Sequence, residues 1–429
     1  MNSFFKSSIR IGILYLFLVG SGFALIYAVH LIPFQSIKKN VDKSCEIIGR
    51  EKYYNVLYYD YGFHLNIHRG NMNYCLDGHT DAWMLMETCN VKKENHIRAS
   101  MANDRMQLKD GQLPFDVVTG YSSKLNDKDV ILYNYGRYWH GYLITLIPAL
   151  MFMDLSQIRT LNCIIFSLLI IAICFLSYKR TNLATPIAFI IPLAFGLFFP
   201  IVPYSLQYSS VFYIAFVSSI VLLIFNKYWL LESRIWGFFF IVGALTSYFD
   251  FLTAPIVTLG FPLTFYGLLK KNPNIRELFM LCMIWAIGYG LMWSSKWILA
   301  YFLAGVNVFE ETYSHAAIWT GADGNGGSIL HFLSHLVVNA PFFNNILMGL
   351  IILGIIIPPK KNGETHRNLW LLFIASIPVV WLFIMRQHTM IHYYFSWRNL
   401  LVSFFALLLF CYKITDFSRI KIFSNNISK

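Results

Sequence analysis

The chain has 429 residues, of which 57% are hydrophobic and only 13% charged, and its formal charge is +12. A globular domain averages about 25% charged and 45–50% apolar residues, so this composition, with a mean hydropathy of +0.53, belongs in lipid. It excludes a disordered tail, a disulfide scaffold, a coiled coil and, despite a pI of about 9.2, a nucleic-acid binder; the 17% aromatic share fits an enzyme or carrier with interfacial belts.

A membrane-crossing helix needs about 20 apolar residues, because its backbone groups must all be bonded within the segment. Ten stretches qualify, at 9–33, 158–178, 183–202, 210–226, 235–250, 253–269, 277–300, 342–358, 368–385 and 399–415. They predict an all-α polytopic membrane protein of about ten transmembrane helices, forming one integral-membrane domain over 1–429. The first stretch lacks a short apolar core followed by a small-residue cleavage site, so it reads as a retained anchor.

Lys6 and Arg10 precede that anchor. Placing them in the cytoplasm puts Lys179-Arg180, Lys227 to Arg234, Lys270 to Arg276, Lys360 to Arg367 and the Lys413 to Lys429 tail on the same side, as the positive-inside bias requires. Only four carboxylates, Glu232, Glu277, Glu364 and Asp416, share that side with sixteen Lys/Arg, so the whole +12 excess lies there. Both termini are then cytoplasmic, and the charge needs no acidic partner.

Two long loops fall on the outer side: 34–138, expected to carry interfacial helices, and 303–341. The inner connections are short and hold no glycine-rich phosphate loop, so chemistry is expected to face outward. The string Tyr135-Gly-Arg-Tyr-Trp-His-Gly-Tyr142 leads into an apolar run too short to cross, which should lie along the outer interface. Between 235 and 269 the apolar run breaks near Tyr248 to Pro255, predicting a tight outer hairpin that carries Asp250. Cys45, Cys75 and Cys89 share the first outer loop, where one disulfide and one leftover thiol fit an oxidising compartment.

Within Cys75-Leu-Asp-Gly-His-Thr-Asp-Ala-Trp-Met-Leu-Met-Glu87, Asp77 and Asp81 stand four apart ahead of a helix-friendly run. Two readings fit. Thr80 or Asp81 is a plain N-cap, or the carboxylate sits where amides and the helix dipole favour an anion used in chemistry. Arg137 and His140, packed with Tyr138 and Trp139, suit a phosphate headgroup, since a guanidinium binds two phosphate oxygens at once; the alternative is an aromatic belt with a snorkelling Arg. Lys296, Arg386 and Arg398 run against the positive-inside bias, and ionisable groups near membrane depth are costly and usually functional; with His388 and His392 they could converge into a cationic pocket for a lipid phosphate, the alternative for each being snorkelling to the interface. Asp250 is expected to pair with a cation such as Lys296. His64/His68 and His331/His335 have the i, i+4 spacing of metal ligands, but no Glu of a His-Glu-x-x-His motif and no Cys cluster supports them. The 321–327 glycine cluster reads as a flexible lid or turn.

A retained anchor, a long outer loop with an acidic motif, an interfacial helix and a bundle of further spans resembles the GT-C superfamily of integral-membrane glycosyltransferases, in particular the bacterial envelope members that include serotype-converting O-antigen glucosyltransferases. The strings that carry the resemblance are Thr80-Asp81, Tyr135 to Tyr142, Ser156 to Asn162, Ser247 to Pro262 and His388 to Asn399. It implies transfer of a hexose from a polyprenyl-phosphate donor to a lipid-linked glycan, with inversion, on the periplasmic face of a bacterial inner membrane. It also implies a base at Asp81, with Asp77 as second choice, and donor-phosphate binding by Arg137, His140, Lys296, His392 and Arg398, supported by Asp250, Arg386 and His388. No resident cofactor and no metal ligand is assigned, with a divalent metal left open. The expected partners are the lipid-linked donor and acceptor and membrane lipids, with no nucleic acid. Rival classes are an O-antigen polymerase, which should centre on a large Arg-rich late loop, and a lipid-linked sugar transporter or flippase, which should carry repeats and charges through both membrane halves. A membrane acyltransferase would need its essential His and Arg on the cytoplasmic side, where His366 is this chain's only histidine.

Overall fold

The structure is a computed structural model that describes residues 3–51, 76–92, 95–108, 130–195, 201–271, 273–322, 330, 332 and 364–416. These form a predominantly helical membrane protein. Five helices are long and apolar enough to cross a bilayer: Ile9–His30, Leu155–Arg180, Leu206–Ile224, Ile275–Ala304 and Tyr393–Ile414. Four shorter apolar helices, Ala184–Ala194, Arg234–Phe249, Ile256–Lys270 and Leu369–Ile384, stand at four further predicted positions. The remaining stretch, 342–358, lies outside the described residues, as do Cys75, His64, His68, His331, His335 and most of the 321–327 cluster.

In chain order the elements that matter are α1 (Ser3–His30), α2 (Phe34–Glu51), α3 (Gly78–Glu87), α4 (His96–Ala102), β1 (Arg105–Leu108), β2 (Val130–Tyr133), α5 (Leu143–Leu150), α6 (Leu155–Arg180), α7 (Ala184–Phe195), α8 (Leu206–Ile224), α9 (Glu232–Phe249), α10 (Ile256–Lys270), α11 (Ile275–Ala304), α12 (Phe309–Thr320), α13 (Leu369–Ile384), α14 (Arg386–Ile391) and α15 (Leu401–Ile414). The helical expectation holds for the described residues, with one small addition. β1 and β2 pair antiparallel, with Arg105 opposite Tyr133, as a two-stranded ribbon between α4 and the 135–142 segment.

Helix α2 owes its place to its pattern. Ile37, Val41, Ser44, Cys45 and Ile48 recur at helical spacing and are all buried, while Lys38 and Asp42 form an exposed i, i+4 ion pair at 2.7 Å. The buried stripe lies on α3 and α5 in an apolar core that also takes in Met84, Leu85, Met86, Trp139, Leu143 and Ile147. Helix α5 has eight residues, too few to cross, and its end is tied down by Asn40 Nδ2 donating to Leu150 O at 2.9 Å. A second, larger core gathers α7, α8, α10, α13 and α15.

Helices α9 and α11 pack backbone to backbone. A Cβ at Gly243 would stand 2.0 Å from Trp285 O, and one at Gly288 would stand 2.3 Å from Phe240 O; glycines are the residues that allow so close a crossing. In the last turn of α9, Tyr248 O accepts from Gly141 N at 2.9 Å, and a Cβ on Gly141 would meet the Tyr248 ring at 2.3 Å. This contact locks the 135–142 segment to the end of α9, just ahead of the 250–255 hairpin, and frames one side of a cavity.

Candidate functional site

The cavity, of about 210 Å³, is bounded by α3, the ribbon, the 135–142 segment, the 250–255 hairpin, α12 and the turns after α14. Its polar lining is His79, Thr80, Glu87, Arg105, Arg137, Tyr142, Gln207, His388 and His392, and its aromatic lining includes Trp83, Tyr135, Tyr138, Phe251, Trp319 and Phe395.

Helix α3 begins at Asp77, and neither Thr80 nor Asp81 is its cap. Asp77 Oδ1 accepts from Thr80 N at 3.0 Å and Oδ2 from Thr80 Oγ1 at 2.8 Å, an N-cap of the usual kind. Oδ2 also accepts from Tyr394 OH at 3.2 Å, and that hydroxyl lies 3.5 Å from His392 Nδ1. Asp77 therefore stands behind the cavity histidines and supports them. Burial lowers the basicity of His79 and His392, partly offset by Asp77, and lowers His388 further; near neutrality all three imidazoles are uncharged, able to donate and accept.

Asp81 points elsewhere. Its carboxylate accepts from Ser205 Oγ at 3.1 Å, Gln207 N at 3.1 Å and Leu206 N at 3.2 Å, with Arg159 Nη2 at 3.8 Å. It is the anion at the N-terminus of α8, where unpaired amides and the helix dipole stabilise negative charge. Arg159 in turn pairs with Glu51 of α2 and donates to Tyr204 O at 2.7 Å, so one network joins α2, α3, α6 and α8. Burial pushes Asp81 up to about 7 against the opposing pull of Arg159 and the two amides. Asp81 is not on the cavity wall, and its acceptor capacity is committed to the fold.

The 135–142 segment is anchored residue by residue. Trp293 and Trp297 donate to Arg137 O at 2.7 and 3.0 Å, and Trp139 donates to Met292 O at 2.6 Å. Tyr138 stacks on Trp293 with 5.9 Å between centroids. His140 takes a φ of +56°, a left-handed backbone uncommon outside glycine. Its Nε2 lies 3.1 Å from Tyr135 O and its Nδ1 2.7 Å from Glu87 Oε2, and Tyr142 OH donates to the same Oε2 at 3.2 Å. Burial lowers the basicity of His140, with Glu87 pulling the other way.

Two guanidiniums flank Tyr135. Arg105 Cζ lies 3.1 Å and Arg137 Cζ 4.4 Å from its ring centroid, and Arg105 also covers Trp83 at 4.7 Å. Cations over aromatic faces are held electrostatically without their hydrogen-bond donors being used up. Arg137 is buried and pairs with Glu311 of α12.

Of the five expected phosphate binders, Arg137 and His392 reach the cavity wall and His140 stands one layer behind it. Lys296 stands away from the wall: fully buried, it donates to Asn103 Oδ1 at 2.8 Å and Ser100 O at 3.0 Å, closing the end of α4. Arg398 is likewise turned inward, donating to Tyr394 O at 2.8 Å over the ring of Tyr208. Arg386 donates to Gly321 O at 3.1 Å. The expected Asp250–Lys296 pair does not form, because Asp250 Oδ1 accepts Thr253 N at 3.0 Å within its own hairpin. Cys45 is a buried free thiol and Cys89 is buried; their possible partner Cys75 lies outside the described residues. Among the described residues no three His, Cys, Asp or Glu are grouped to hold a metal. Glu87, Arg105, His79, Trp83 and Trp319 line the cavity without having been singled out in the sequence.

At Met84 and Tyr142 the polar cavity shares its wall with an apolar groove of about 410 Å³ between α5, α6 and α8, lined by Leu146, Ile158, Leu161, Ile165, Ser210 and Ile214 among others. Tyr213 and Ile214 are common to this groove and to a further apolar hollow of about 320 Å³ that runs between α8 and α9 to Trp229. No family model, curated protein or solved structure matches the chain.

Proposed function

We propose that the protein is a membrane glycosyltransferase of the GT-C type, moving a hexose from a polyprenyl-phosphate donor to a lipid-linked O-antigen or other envelope glycan. The observation that carries this reading is the junction at Met84 and Tyr142, where an apolar groove suited to a lipid chain meets a small polar cavity with two guanidiniums, a carboxylate and three imidazoles. A lipid-phosphate sugar has that same division, an apolar tail and an anionic, hydroxylated head. Arg105 and Arg137 supply fixed cations beside a developing phosphate charge, worth most in a site that excludes water. The aromatic walls suit a sugar ring. The donor is already activated, so no nucleotide site is required.

In this reading the chain has ten spans with both termini in the cytoplasm of a bacterial cell, and the cavity opens on the periplasmic face of the inner membrane. The charge partition along the sequence supports it, since the cavity is built from the two segments placed outside by that partition and from the outer span ends.

The reading is tested with purified protein in nanodiscs, a labelled polyprenyl-phosphate hexose and a lipid-linked acceptor. Wild-type protein should transfer label. Ser210→Trp, which fills the groove, should raise KM for a long-chain donor by about tenfold, equivalent to about 1.4 kcal/mol, and leave a short-chain donor unaffected. Absence of transfer with every lipid-phosphate sugar, or a groove substitution blind to chain length, contradicts it.

A further inference from the structure

Glu87 presents its two oxygens to different surroundings. Oε2 lies 2.7 Å from His140 Nδ1 and accepts from Tyr142 OH at 3.2 Å. Oε1 has no protein partner among the described residues, although the side chain is buried and forms part of the cavity wall.

The proton count on this pair follows from geometry. His140 Nε2 lies 3.1 Å from the carbonyl of Tyr135. A carbonyl only accepts, so Nε2 must carry its hydrogen. Nδ1 and Oε2 stand 2.7 Å apart, within ion-pair reach though off hydrogen-bond alignment, and at that separation two bare lone pairs repel unless one of the atoms carries a proton. Either His140 is an imidazolium beside a carboxylate, or a neutral imidazole accepts from a protonated Glu87; in both cases the pair holds one proton and is neutral.

The backbone pays particular attention to this arrangement. His140 adopts its left-handed conformation at φ +56°, and Gly141, with no room for a Cβ against Tyr248, holds the segment in place. Strain of this kind persists where the surroundings over-determine it.

We infer that Glu87 and His140 share a single proton, and that Glu87, through Oε1, takes the acceptor's hydroxyl proton, with His140 as its positioning residue. The role rests on the glycosyl-transfer reading above. In that step the acceptor oxygen forms a bond to the anomeric carbon and its proton passes to Oε1. The bond from that carbon to the phosphate oxygen breaks, and its electron pair leaves with the lipid phosphate. The shared proton stays on Oε2 or Nδ1 throughout, so the pair ends with two protons and one positive charge. The other titratable groups around the pair are His30 of α1, Arg105 of β1, Tyr135, Tyr142 and Lys296 of α11.

Two measurements on the full chain test this. In protein labelled with ¹⁵N-histidine, the His140 Nδ1 resonance of wild type should report a bound or shared proton, and Glu87→Gln should convert it to a bare Nδ1 with Nε2–H retained. In transfer assays Glu87→Gln should lower kcat about 1,000-fold, within the usual range for a lost general base, with donor KM unchanged. Glu87→Asp should recover part of the rate, which separates chemistry from misfolding. His140→Gln should lower kcat less and displace the acid limb of the pH profile. A bare Nδ1 in wild type, or wild-type kcat in Glu87→Gln, overturns the inference. Wild-type protein that shows the shared proton yet moves no sugar overturns the transferase reading and the base role with it, leaving the proton pair standing.

Discussion

The two ends of α3 each bury a carboxylate, six residues apart, and put it to opposite uses. Asp81, at the start, receives a hydroxyl, two backbone amides and a nearby guanidinium. Glu87, at the end, is fixed through one oxygen and leaves the other to the cavity. Burial is nearly complete for both, so burial does not separate them. What separates them is how many of the acceptor sites are already occupied: a carboxylate whose lone pairs all serve the fold has none left for a substrate.

That contrast can be broken from the Asp81 end. After the turnover loss expected for Glu87→Gln, the next largest effect should come from Asp81→Ala, which leaves Ser205 Oγ and two buried amides of α8 without their acceptor; a buried donor left unsatisfied costs about 1–3 kcal/mol. Thermal unfolding in detergent should record the loss, while transfer per folded molecule persists. If Asp81→Ala leaves stability intact, the capping role is wrong.

Arg137→Ala probes the cavity side. Losing hydrogen bonds from a charged donor should weaken donor binding by about tenfold to a hundredfold, measured by titration with a lipid-phosphate sugar. Lys296→Met, away from the wall, should leave that affinity unchanged; equal losses in both variants would dissolve the distinction between lining and internal cations.

The smallest effect concerns pH. Asp81 is held at about 7 in the fold against an ordinary value of 3.8, so between these values the folded chain binds its proton more tightly than the unfolded one. Stability from this group is therefore fully present below pH 3.8 and is lost as pH rises through about 7. Asp81→Asn, which cannot titrate, should flatten the decline in Tm across that window. A wild-type Tm that rises between pH 5 and 8, with the same slope in Asp81→Asn, contradicts this.

Much of the scaffold was legible in the sequence because apolar length and charge are local properties. The helices at 158–178 and 277–300 and the aromatic segment 135–142 announce themselves within a single window. The cavity is less so. Arg137 and His392 stood out because their charge or type ran against their surroundings, and both reach the wall. Glu87 closes the string that begins at Cys75 and looks like any helix-ending glutamate; only the fold brings His140 to it across more than fifty residues. Arg105 sits on a strand whose partner begins only at Val130, and nothing near it in the chain marks it. The surroundings of Asp81 were illegible for the same reason. Its partners Ser205 to Gln207 lie more than 120 residues away, and a capping contact at that range leaves no local pattern.

The central claim is that the reactive carboxylate of α3 is Glu87 and the structural one Asp81. Single-turnover transfer by purified Glu87→Gln and Asp81→Asn, side by side with a saturating lipid-phosphate sugar, tests it most directly. The account predicts a loss of about 1,000-fold in Glu87→Gln and a rate within about tenfold of wild type in Asp81→Asn. The reverse pattern, with Asp81→Asn inactive and Glu87→Gln active, would contradict it.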